Sequence, residues 1–192
     1  MPTALDLSST VGLIAIGALS VNILLGLLIS TGYNPLRRWP RRRIKLFRLH
    51  NWTGYAALAI SVLHPALILL SATAGFGLID LVVPITSPQQ PVVNTLGAIG
   101  LYLVAFAVAT SYFRHLFGFR RWKQLHYTTY AAACVFFTHG LLSDPLLQRH
   151  PVDWLDAEKV YVEGCASVVV AATVWRVTAN RKRARVKTRA PA

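Results

Sequence analysis

RLHNWTGYAALAISVLHP, residues 48–65, and QLHYTTYAAACVFFTHG, residues 124–140, decide how this chain is read. Each is a mostly apolar stretch carrying two histidines. His50 and His64 stand 14 residues apart, and His126 and His139 stand 13 apart. A helix needs roughly 20 mainly apolar residues to cross about 30 Å of hydrocarbon. Working outward from these two stretches, five segments meet that measure: 11–31, 51–71, 92–113, 125–142 and 160–177, the fourth being as short as the fifth and the most polar. The expected fold is all-α and integral to the membrane. It is a bundle of five transmembrane helices within a domain over 11–178, with a short outer tail over 1–10 and a basic tail over 179–192.

Composition points the same way. The 192 residues are 54% hydrophobic and only 14% charged, with a mean hydropathy of +0.47. A soluble domain carries about a quarter charged residues. A net charge of +13 would suit a nucleic-acid binder if it were spread over a soluble face. Instead the basic residues sit in short blocks between apolar runs, so no nucleic-acid partner is expected. Seven Lys or Arg follow the first segment, four follow the third (RHLFGFRRWK) and seven lie at or beyond the end of the fifth, from Arg176. All seven acids, with Arg149 and Lys159, fall on the opposite side. The positive-inside rule makes the basic side cytoplasmic. The N-terminus is then outside, the C-terminus cytoplasmic, and the location the inner (plasma) membrane, with the bilayer as the first partner. The N-terminus lacks a basic n-region and carries Asp6, so the first apolar run reads as an uncleaved span and not as a secretory signal. The tail RKRARVKTRAPA is too short and too charged to fold alone. Cys134 and Cys165 form no CxxC and lie in apolar runs, where buried thiols are the ordinary reading.

His115 and His150 are expected in loops and receive no role. The other four are different, because ionisable groups within the membrane are costly and mark function. The second and fourth spans run in the same direction. At 1.5 Å per residue, intervals of 14 and 13 residues rise about 21 and 20 Å. His50 and His126 therefore share a level near the cytoplasmic face, and His64 and His139 share one near the outer face. A planar porphyrin takes one axial ligand on each side, and neutral imidazole serves that role. Two b-type haems, one per leaflet, are expected, with His50 and His126 on the inner iron and His64 and His139 on the outer.

Rotation is the difficulty. Fourteen residues fall about 40° short of four turns, but thirteen fall about 140° short. The fourth span must be tilted, bent or locally wound differently if both of its histidines ligate. Small residues that would leave room for a flat macrocycle are Gly54, Ala56 and Ala57 beside the first pair, and Ala131, Ala132, Ala133 and Gly140 beside the second. Ordinary helix packing uses the same residue types.

A zinc site would gather its ligands at one point, often at i and i+4 on a helix, and these histidines are about 20 Å apart along each span. A proton relay would bring intramembrane carboxylates, which the span centres lack. A histidine-lined transporter or channel would favour Gly or Pro breaks and paired charges, and Pro65 stands alone in that respect.

The His-x13-His and His-x12-His helices, with the segment RRWKQLHYTTYAAACVFFTHG, resemble the ferric reductase-like transmembrane domain shared by ferric reductases and NADPH oxidases. The resemblance covers most of spans two through five. It implies haem b ligation by His50 with His126 and His64 with His139. It also implies an oxidoreductase or its haem subunit, moving electrons from a cytoplasmic donor to an outer acceptor. Arg48, Arg120, Arg121 and Lys123 lie beside the inner pair and are candidate contacts for inner haem propionates, since carboxylates favour arginine. Many members have six spans where five are read here. No GxGxxG occurs, so no flavin or nicotinamide site is expected in this chain. The donor would be a separate cytoplasmic reductase or a quinol, and the acceptor a ferric chelate, oxygen or a periplasmic protein. A second reading within the class is a membrane haem subunit serving a periplasmic methionine sulfoxide reductase, a branch that keeps fewer of the four histidines.

Overall fold

The computed structural model describes residues 3–32, 45–144 and 153–189, and every regular element among them is helical. The order is α1 (Ala4–Thr31), α2 (Leu46–Ile68), α3 (Leu78–Val82), a 3-10 turn (Pro84–Thr86), α4 (Pro91–Tyr112), α5 (Arg114–His126), α6 (Thr128–Leu142) and α7 (Ala157–Arg189). Three of them are long and apolar enough to cross a membrane: Ala4–Thr31, Pro91–Tyr112 and Ala157–Arg181. Helices α2 and α6 occupy the other two stretches expected to span. Helix α6, at 15 residues, is shorter than the expected span because the chain leaves α geometry at Tyr127, and α2 is the more polar of the two.

Helix α1 begins seven residues earlier than the expected span because Thr3 and Asp6 form a capping box. The Thr3 hydroxyl accepts from the Asp6 amide and the Asp6 carboxylate accepts from the Thr3 amide, satisfying two otherwise orphaned donors. Residues 4–10, expected within the outer tail, are therefore helical. Helix α1 ends at Gly32, whose φ of +66° suits a left-handed cap.

The connection after α4, expected as a loop, is the helix α5. Its basic residues share the helix with exposed Leu116 and Phe119, as in helices that lie along a membrane surface. Gly118, at φ +70°, breaks its winding midway. His115, expected in a loop, is therefore on α5, and exposed. His150 lies outside the described residues, as do 33–44 in the first basic connection. Helix α7 also outruns its expected span. Its backbone remains helical to Arg189, because extending a formed helix adds one hydrogen bond per residue without a new nucleus.

Contacts fix the directions. Gly12 and Gly26 of α1 meet His64 and His50 of α2, so the two helices run antiparallel. Helix α4 runs antiparallel to α6 and the end of α5 in the same way, with Gly97 against His139 of α6 and Ser111 against His126, the last residue of α5. The core joins Ile16 of α1, Ala133, Phe136 and Phe137 of α6, and Val162 and Val169 of α7. Lys159 of α7, itself buried, ties onto the C-terminal end of α6 by donating to the carbonyls of Gly140 and Ser143.

Candidate functional site

The four histidines meet in pairs. His50 and His126 have ring centroids 6.2 Å apart with planes at 81°, and His64 and His139 are 6.3 Å apart at 67°. Both pairings match the levels read from helical rise. Each pair opens on its own cavity. The one expected on the outer side is lined by His64 and His139 with Gly97, Ala98, Gly100 and Gly140. The one expected on the inner side is lined by His50 and His126 with Gly54, Ala107 and Ala132. Leu19, Val104 and Phe136 line both cavities and form the wall between them.

The rotational difficulty is met at Tyr127. The chain leaves regular α geometry there, at ψ −14°, and α5 hands over to α6 directly after His126. The Tyr127 amide bonds back to Gln124 and the Tyr130 amide to Tyr127, the three-residue spacing of a tighter turn. Such a turn winds faster than an α-helix, which carries His126 and His139 toward a common face.

The Nδ1 atoms are held from behind. His64 Nδ1 lies 2.8 Å from the Ser8 carbonyl, His50 Nδ1 3.0 Å from that of Asn22, and His139 Nδ1 2.9 Å from that of Val93. A carbonyl only accepts, so in these three rings Nδ1 carries the proton and Nε2 keeps its lone pair. His126 differs, because its Nδ1 lies 3.2 Å from the Ser111 hydroxyl. Helix α1 grips α2 from the other side as well. The Ser8 hydroxyl donates to the His64 carbonyl, and the Asn22 amide donates to the His50 carbonyl and to Thr53 Oγ1.

This donor set fits a bis-imidazole iron porphyrin. The ring centroids of the two pairs are 6.2 and 6.3 Å apart, so His50 with His126 and His64 with His139 would each be able to hold one iron between them. Hydrogen bonds from the remote nitrogen to carbonyls are the usual support of metal-bound histidine. Among the described residues no cluster of three or more His, Cys, Asp or Glu gathers at one point, as a compact metal site would need.

The other expected residues divide. Arg48, Arg120, Arg121 and Lys123 are exposed and do not line the inner cavity. Of the small residues, Gly54, Ala132 and Gly140 reach a cavity wall, whereas Ala56 and Ala131 are exposed and Ala133 packs in the core beside Val162. Sequence reasoning missed Gly12, Gly26, Gly97 and Ser111. A built Cβ at Gly97 would fall 2.7 Å from His139 Cε1, at Gly12 2.9 Å from His64 Nδ1, and at Gly26 3.2 Å from His50 Cε1. Their signal was available as an interval: 12 to 26 and 97 to 111 are both 14 residues, the spacing of His50 and His64.

No curated protein and no solved structure matches the chain. A family model does match, over residues 11–137, a stretch that takes in His50, His64 and His126 and ends just before His139. The match covers well over half of the chain, together with its long apolar helices. This membrane protein therefore belongs to the family described as ferric reductase like transmembrane component.

Proposed function

We propose that the chain passes electrons across the membrane between two b-type haems, the inner held by His50 and His126 and the outer by His64 and His139. Bound there, the haems would supply one-electron iron chemistry, and the protein supplies position, ligand basicity and a dry surround. The observation that carries this reading is the repetition of one arrangement at two depths. Two imidazole pairs share nearly the same separation, and backbone carbonyls accept from Nδ1 in three of the four rings, which leaves the Nε2 lone pairs of those rings for a ligand. Chance hydrogen bonding of single intramembrane histidines would not produce two such matched gaps.

The full reading has five membrane-crossing helices with the basic ends cytoplasmic. A separate reductase or a quinol delivers electrons at the basic face near His50 and His126, and a ferric chelate, oxygen or a periplasmic protein accepts them beyond His64 and His139. The direct test is a reduced-minus-oxidised spectrum and a pyridine haemochrome assay on the full chain purified from haem-replete cells. We expect a b-type spectrum and about two haems per chain, falling to about one in His64→Ala. Absence of haem absorbance would overturn the reading.

A further inference from the structure

We infer that Ser111 is the positioning residue of His126, and that with Trp122 it makes this histidine a weaker electron donor than the other three. The inference rests on the two-haem reading above and goes on from it to the unequal tuning of the ligands.

A repeated register leads to it. Side chains on a helix cover the turn that precedes them, so a glycine leaves bare the carbonyl four residues earlier. Ser8 and Gly12, Asn22 and Gly26, and Val93 and Gly97 are each such a pair, and in each the bare carbonyl accepts from a histidine Nδ1. The fourth position of the register is 111, fourteen residues beyond Gly97. A glycine there would open the carbonyl of Ala107 to the imidazole, a carbonyl that also accepts from the Thr110 hydroxyl at 3.2 Å and has a second lone pair to offer. Serine stands there instead, and its hydroxyl takes the place of the carbonyl at 3.2 Å from His126 Nδ1.

That hydroxyl is also shared. Trp122 Nε1 donates to Ser111 Oγ at 3.4 Å, and the Trp122 ring stacks on His126 at 5.2 Å between centroids and 27° between planes. A hydroxyl oxygen already accepting from an indole is a poorer acceptor for the imidazole than a main-chain carbonyl. Donation from Nδ1–H to an acceptor raises the basicity of Nε2, and a more basic axial ligand favours ferric over ferrous iron. Weaker donation at His126 therefore raises the inner midpoint potential above the value that a glycine at 111 would set.

The test uses the full chain in detergent, in the His64→Ala background that leaves the inner site alone. Ser111→Ala removes the acceptor and should raise the midpoint. Ser111→Gly restores the carbonyl pattern and should lower it. Trp122→Phe keeps a stacked ring but frees the hydroxyl, and should also lower it, while Ser111→Thr should stay near the parent. Opposite signs for Ser111→Ala and Trp122→Phe are not expected of residues that merely fill space. If haem binds and none of these variants moves the midpoint, the role of Ser111 is overturned while the two-haem reading stands. If the parent binds no haem, the two-haem reading fails, and nitrogen-15 NMR of the histidine rings decides the inference separately. A Ser111→Ala change confined to the His126 Nδ1 signal supports it, and an unchanged spectrum overturns it.

Discussion

Single atoms decide this site. Gly97 has the least room of the three glycines behind the rings, with 2.7 Å from a built Cβ to His139 Cε1. In Gly97→Ala the ring must leave the Val93 carbonyl, and overpacking of this kind costs about 1–3 kcal/mol. We expect the haem-to-protein ratio to fall from about two to about one, with the outer site lost. Gly26→Ala, starting from 3.2 Å, should be milder, and Gly164→Ala, with nothing within 4 Å, should leave haem content and thermal midpoint unchanged. Pyridine haemochrome assays on the three variants check this order. The histidines themselves were legible from sequence because an imidazole in lipid is rare enough to need a reason. Their Nδ1 partners were not, because Ser8, Asn22 and Val93 act through backbone carbonyls that every residue possesses. Gly54 and Gly140 were read correctly as close to the site, but the decisive glycines lie on α1 and α4, helices that carry none of the four paired histidines.

At the level of helices, the arrangement depends on how α5, α6 and α7 are joined. Inserting one alanine after Cys134 leaves the turn at Tyr127 intact but rotates His139 by about 100° about the axis of α6. The outer haem should be lost and the inner kept, which the same haem-to-protein ratio would register. Retention of both haems would mean that the α6 register does not place the outer ligand. Lys159 secures the far end of α6 through the carbonyls of Gly140 and Ser143. Lys159→Met leaves those acceptors without a donor, a loss of about 1–3 kcal/mol, seen as a lower melting temperature in detergent. The long apolar helices were plain in the sequence because hydropathy over twenty residues averages out local detail. Helix α5 was not, since four cations in ten residues resemble a loop until Leu116, Phe119 and Trp122 are seen to share the same helix. The turn at Tyr127 could be required from the 13-residue interval, but its position had no signature among Leu125, Tyr127 and Thr128.

For the whole molecule, the proposed orientation rests on charge asymmetry. Ala72→Cys, beyond α2, should react with an impermeant maleimide in intact cells, whereas Lys123→Cys should react only after permeabilisation. The reverse pattern would invert the proposed topology. The wall between the cavities carries one more consequence. Leu19, Val104 and Phe136 hold neither a hydroxyl nor a titratable group, so these three side chains offer protons no stepping stone, whereas an electron passing between the proposed haems would tunnel through them. Each turnover would then be electrogenic. A charge driven across the full membrane works with or against about 2.3 kcal/mol per 100 mV, so the rate of the outer half-reaction should respond to the transmembrane voltage even when pH is equal on both sides.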